Sequence, residues 1–156
     1  MKVFKFGGAS VKDAAGVKNL SSIVHQQHGQ LIVVVSAMGK TTNLLETLCN
    51  AYFHQDPKTT AIMKELKNFH LDIVNTLFPL NDTIHKHLEE LFTSLENILA
   101  SESSLCYDYE YDRIICFGEL ISTTIISDYL KMKGIENQFI DIRKFLKTDQ
   151  NYRNAN

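Results

Sequence analysis

Two short apolar runs, Val3 to Phe6 and Leu31 to Val35, bracket a single helical pattern, and this order constrains the fold more than any other feature of the chain. Between Asp13 and His28, Ala14, Val17, Leu20, Ile23 and Val24 recur at helical spacing, and Gly29 marks the stop. Strand, helix and strand in so short a stretch make a βαβ unit, with parallel strands and a right-handed crossover. Leu31 to Val35 is continuously apolar and mostly β-branched, the pattern of a strand buried on both faces.

The remainder reads mainly as helix. A helix is expected from about Thr42 to Phe53, and two longer ones flank Pro79. Ile62, Met63, Leu66, Phe69, Ile73, Val74 and Leu77 line one face of the first of these. Ile84, Leu88, Leu91, Phe92, Leu95, Ile98 and Leu99 line one face of the second, which Asn81 or Asp82 can cap. The short link makes the pair an antiparallel hairpin, and the stripes read as core. A further helix is expected from Tyr111 to Lys133, ended near Gly134, then a third strand from Gln138 to Ile142. The expected class is α/β, three αβα layers around a mostly parallel sheet.

Composition narrows the partners. A chain of 156 residues suffices for one domain that buries roughly 70% of its unfolded surface. The formal net charge is −2 with no Lys/Arg block, which argues against nucleic acid and membrane surfaces as partners. No apolar run reaches a membrane-spanning length, and the N-terminus lacks a signal-peptide layout. Cys49, Cys106 and Cys116 are odd in number without CxxC spacing, which suits reduced core thiols and a cytoplasmic setting. The histidines form no zinc pattern with them, and no metal ligand is expected from the chain.

Three segments carry chemistry. In MKVFKFGGAS, a strand bearing Lys5 runs into Gly7 and Gly8, bringing a cation and bare backbone amides to one point. Such turns hold anions through successive N–H groups, and a helix starting just beyond adds its positive end. The implied ligand is a phosphate, although a protective edge lysine before a plain turn has the same letters. The second segment is LIVVVSAMGKTTNLLE, where a strand ends at Ser36 and a loop leads into a helix. Ligands of open α/β sheets bind beyond the carboxyl ends of strands, which is where Ser36 to Asn43 falls. Gly39-Lys40-Thr41 is not a P-loop, because the required earlier glycine position holds Val34. What remains is a set of hydroxyls from Ser36, Thr41 and Thr42 with helix N-terminal amides, suited to carboxylate or phosphate; helix capping by Thr41 or Thr42 is the plainer use. The third is DRIICFGELIST, where Glu119 sits in an apolar helix beside Gly118. A carboxylate there suits a substrate ammonium, with Gly118 making room; a solvated Glu119, or one paired with Arg113 or a lysine, is the alternative.

Together these segments resemble the aspartate kinases of the amino-acid kinase superfamily. KFGGAS with Val11, VVVSAMGKTTNLLE, DRIICFGELIST and DIRKFLKTDQNYRNA match that family's motifs in its own order, over nearly the whole chain. The resemblance implies an amino-acid kinase-like fold and transfer of the γ-phosphoryl group of MgATP to the side-chain carboxylate of L-aspartate. The product, aspartyl phosphate, feeds synthesis of lysine, threonine and methionine. ATP and Mg2+ are the implied cofactors. By position, Lys5 would neutralise charge on the transferring group, Gly7 and Gly8 would hold phosphate oxygens, and Ser10 adds a hydroxyl. Ser36, Thr42 and Glu119 would bind aspartate, with Glu119 facing its ammonium. Phosphoryl transfer asks a protein mainly for positioning and charge stabilisation, which these groups supply.

Two departures accompany the match. Ala9 stands where the family commonly has Thr, and the chain stops at Asn156, well short of a whole kinase domain. Residues 1–156 are therefore expected to be the N-terminal, phosphoacceptor-side portion, without a regulatory domain and inactive alone. Asp141 to Asn156 would be an edge whose partners are missing, and an exposed sheet face or edge favours a homo-oligomer. A non-catalytic phosphate- or amino-acid-binding module is the alternative, and a sibling such as an acetylglutamate kinase is a weaker one.

Overall fold

The computed structural model describes residues 1–80, 82–146 and 152. β1 (Lys2–Phe6), α1 (Ala14–His25) and β2 (Leu31–Val35) form the expected βαβ unit, its strands parallel with Lys5 beside Val34 and Phe6 beside Val35. Asp13 caps α1, its carboxylate accepting the Gly16 N–H at 2.8 Å.

Side chains of a strand alternate between faces. Phe6, Leu31, Val33 and Val35 pack against the helical core, whereas Val3, Ile32 and Val34 are 60%, 45% and 45% exposed. β2 is thus covered on one face and not on both as its composition suggested, because no described element lies over the second face. The described residues supply the sheet and the helical layer on one side of it.

That layer begins with α2 (Thr41–Phe53). α3 (Thr59–Leu77) and α4 (Thr83–Ala100) follow as an antiparallel hairpin, with Lys67 bonded to Glu96 at 2.7 Å and Asn75 to His85 at 3.2 Å. Asp82 caps α4 through the Ile84 N–H, while Asn81 lies outside the described residues. The anticipated apolar stripes are core. Leu66 and Val74 of α3 and Leu88, Phe92 and Leu95 of α4 are almost wholly buried. Each such side chain stabilises the fold by about 1.5–3 kcal/mol.

The single helix expected from Tyr111 to Lys133 is instead α5 (Tyr107–Ile115) followed by α6 (Phe117–Met132). The break falls at Cys116, whose thiol donates to the Arg113 carbonyl at 3.4 Å, the acceptor that an uninterrupted helix would offer to residue 117. Cysteine placement also departs from expectation: Cys49 is a core thiol, but Cys106 is exposed and Cys116 is half-buried beneath Arg143. Burial pushes the Cys116 thiol up, and the Arg143 guanidinium 3.1 Å away opposes that shift.

The third strand expected from Gln138 to Ile142 does not form. Residues 138–141 join no strand among the described residues, and Ile142–Lys144 is a 3-10 turn capped by Asp141. Phe139, Ile140 and Ile142 are exposed, and a strand needs a partner, whereas this segment pairs with neither edge of the described sheet. Of the expected edge segment, residues 147–151 and 153–156 lie outside the described ones.

Candidate functional site

The two strands end side by side, and their loops continue the pairing. Ser36 N–H donates to the Phe6 carbonyl at 3.0 Å, and Gly39 N–H donates to the Gly8 carbonyl at 3.1 Å. Gly8 is required by this approach: a Cβ there would stand 2.7 Å from the Ala37 carbonyl oxygen, inside any real contact. At Gly7 a Cβ would meet nothing, so that part of the turn is open. The N–H groups of Gly7 and Gly8 donate to no described residue, whereas Ser10 N–H closes the turn on the Gly7 carbonyl at 2.9 Å. Lys5 projects from the uncovered sheet face, exposed and without an ion pair or hydrogen bond to a described residue. The Ser10 hydroxyl is exposed beside the same turn.

α6 closes the arrangement from the other side. The Glu119 carboxylate accepts the Ala37 N–H at 3.2 Å, joining the third chemical segment to the second. Ser122 Oγ donates to the Ser36 carbonyl at 2.9 Å, a second tie between helix and loop. Such closeness depends on Gly118, where a Cβ would fall 2.8 Å from the Ala37 Cβ and 3.2 Å from Leu45 Cδ1. The space that Gly118 leaves is taken by Ala37 and Leu45, so it serves the approach of the helix to the loop.

Glu119 does not pair with Arg113. That guanidinium bonds Glu110 at 2.9 Å, and Glu110, wholly buried, also accepts the Ser104 N–H at 2.7 Å. Glu119 is exposed as a residue, yet it is tied at one oxygen and free to face a ligand with the rest of its carboxylate. Nor do the threonines cap α2. The N-cap is Lys40, without a side-chain cap bond; Thr41 is buried and turned back onto the Met38 carbonyl at 2.6 Å. Thr42 is half-buried at the first turn of α2.

Glu119, Ser36 and Gly8 thus meet around Ala37, with Thr42 one residue beyond Thr41 and Gly7, Ser10 and Lys5 on the neighbouring turn and strand. The chemistry on offer is an exposed cation, backbone donors and hydroxyls on one side and an anchored carboxylate on the other. That suits an anionic group held next to an ammonium. A cleft of about 850 Å³ between the end of α2, α3 and α4 holds none of these residues, so cleft volume alone points away from the chemistry. Sequence reading missed two contributors. The Ala37 N–H has no side-chain signature, and His70, wholly buried on α3, reaches Thr41 at 3.3 Å from a distance in sequence that no local pattern reveals.

Comparison with known proteins bears on the family and the fold. Residues 1–156 match the model of the Amino acid kinase family. Aspartokinase 2, chloroplastic, of Arabidopsis thaliana is 31% identical, the match covering 94% of this chain and 28% of that protein. Lysine-sensitive aspartokinase 3 of Escherichia coli (strain K12) is 27% identical over 98% of this chain and 33% of that protein. Escherichia coli aspartokinase III in complex with lysine and aspartate superposes with a TM-score of 0.88 at 25% identity, over 100% of this chain and 34% of its own. The same enzyme with aspartate and ADP gives 0.87 at 26% identity, over 99% of this chain and 34% of its own. The chain spans about a third of the length of these relatives. With every residue inside the family match, the chain belongs to the amino acid kinase family.

Proposed function

We propose that this chain is the acceptor-side portion of an aspartate kinase, which transfers the γ-phosphoryl group of ATP to the side-chain carboxylate of L-aspartate. The observation that carries the reading is the Glu119–Ala37 bond, which ties the third chemical segment to the loop whose Gly39 N–H bonds the Gly8 carbonyl of the first. In this assignment Glu119 holds the substrate ammonium, and Thr42 and Ser36 hold the remainder of the amino acid. Its side-chain carboxylate is thereby directed toward Gly7, Gly8 and Lys5. The relative whose structure contains aspartate and ADP supports both ligand classes for this fold.

MgATP, when bound, supplies the phosphoryl group. The Gly7 and Gly8 amides, the Ser10 hydroxyl and Lys5, which has no partner among the described residues, fit its phosphate oxygens. No carboxylate among the proposed phosphate-side residues offers a magnesium ligand, which suits an ion arriving with the nucleotide. In the transfer, a carboxylate oxygen of aspartate forms the new bond to phosphorus as the bond to the leaving diphosphate oxygen breaks. Lys5 would offset the charge on the transferring group, and Gly7 and Gly8 would fix its orientation.

Calorimetric titration with L-aspartate tests the assignment, with Glu119→Ala as the control. Heat of binding by the natural chain that vanishes in the variant supports it. Equal binding by both removes Glu119 from the acceptor site.

A further inference from the structure

We propose that His70 is a positioning residue that holds the loop from Ser36 to Asn43 in shape, acting through Thr41. This deepens the acceptor-site reading, since that loop carries Ser36, the Ala37 N–H and Thr42, but the contact itself stands without it. His70 lies in the middle of α3, wholly buried, with ring contacts to Phe69 at 4.9 Å and Phe92 at 6.3 Å between centroids. Its Nδ1 is 2.8 Å from the Leu66 carbonyl, which only accepts, so Nδ1 carries the proton and Nε2 of the neutral ring is a bare acceptor. That acceptor faces Thr41 Oγ1 at 3.3 Å. The same hydroxyl lies 2.6 Å from the Met38 carbonyl, and the Thr41 N–H bonds that carbonyl at 3.0 Å.

A polar ring in an apolar helix face costs stability unless something uses it. Here its two nitrogens link the frame of α3 to the turn between β2 and α2: the single Thr41 hydroxyl proton is donated to the Met38 carbonyl at 2.6 Å, and Nε2 at 3.3 Å is the second, longer acceptor of that three-centre bond. Thr41 is the residue before Thr42, and its methyl packs beside Gly118, 3.6 Å from where a Cβ there would stand. A ring that fixes Thr41 therefore fixes the start of α2 and the loop that Glu119 grips at Ala37. Nothing in this pairing requires a ligand, so it is present before one binds.

Amide hydrogen exchange of the full chain reads this out. In His70→Leu, exchange at Ala37, Gly39 and Thr41 is expected to rise about tenfold, the usual scale for a buried hydrogen bond left unmade. Amides of Leu88 and Leu95 in α4 should keep their rates. His70→Gln places an amide oxygen where Nε2 was and should restore the loop to within about threefold of the natural rate. Should His70→Leu not fold, Thr41→Val against Thr41→Ser carries the same comparison, with loss expected only in the valine variant. Unchanged loop exchange in His70→Leu, or in Thr41→Val, overturns the proposal. So does a glutamine variant as impaired as the leucine one, which would make His70 a packing residue. Absence of L-aspartate binding in every form, with this exchange pattern intact, would refute the acceptor assignment and leave the positioning role of His70 supported.

Discussion

Acidification from about pH 7 to about pH 4.5 destabilises the folded chain through His70, by an amount that its surroundings set. Burial disfavours the charged ring and lowers its pKa from the usual 6.5 to about 4, the bond to the Leu66 carbonyl opposing the shift only in part. In the unfolded chain the ring takes up its proton near the usual value, so between 6.5 and about 4 the unfolded state binds a proton that the folded state refuses. The associated stability is fully present above the unfolded value and is lost as the pH falls toward the folded one. The gap between 6.5 and about 4 corresponds to about 3 kcal/mol, most of it expressed at about pH 4.5. A domain of ordinary stability has about 5–15 kcal/mol in total, so the loss is large and still measurable. Urea denaturation of the natural chain and of His70→Gln at both pH values isolates it, since carboxylates titrate alike in the two. The natural chain is expected to lose about 2 kcal/mol more than the variant. Equal acid sensitivity would refute the buried, neutral His70 on which this reasoning depends.

Three further outcomes are expected. In a complete kinase carrying this segment, Lys5→Ala lowers turnover about 10²–10³-fold, as loss of one preorganised charge does, and near-normal steady-state turnover would remove Lys5 from the catalytic set. Gly118→Ala forces a methyl against Ala37 and Leu45, and thermal unfolding should show a loss of about 1–3 kcal/mol. An unchanged melting temperature would mean that α6 does not pack on the loop as closely as described. Glu110→Ala strands Arg113 and the Ser104 N–H, with an expected cost of about 2–3 kcal/mol in urea denaturation; a loss below about 0.5 kcal/mol would show the pair to be dispensable.

What was readable in the sequence was what local periodicity encodes. The βαβ unit, the hairpin of α3 and α4 and the core stripes follow from apolar spacing alone, and the glycine turn after Lys5 follows from the steric freedom of Gly8. Features that depend on a distant partner were not readable. A strand at residues 138–142 needs an edge to pair with, and the apolar letters there could not show that the segment pairs with neither edge of the described sheet. The break at Cys116, where the thiol also bonds the Arg113 carbonyl, was invisible to a pattern that is apolar on both sides of it. Glu119 illustrates the same limit in the site. Burial statistics favoured a solvated or Arg113-paired carboxylate, and it is indeed exposed, yet one oxygen is held by a backbone amide 82 residues away. The threonine hydroxyls read as caps because capping is local, while the bond of Thr41 to His70 crosses between elements.

The Ala37 amide is the most direct witness of the proposed acceptor site, because its N–H is held by the carboxylate assigned to the substrate ammonium. Nitrogen-15 NMR of the chain titrated with L-aspartate, beside Glu119→Ala, follows that one resonance. The account predicts a saturable shift of Ala37 and Thr42 with L-aspartate that the variant lacks, with core amides of α4 unmoved. Saturable shifts elsewhere that leave Ala37 and Thr42 in place, or identical shifts in the natural chain and the variant, would contradict it.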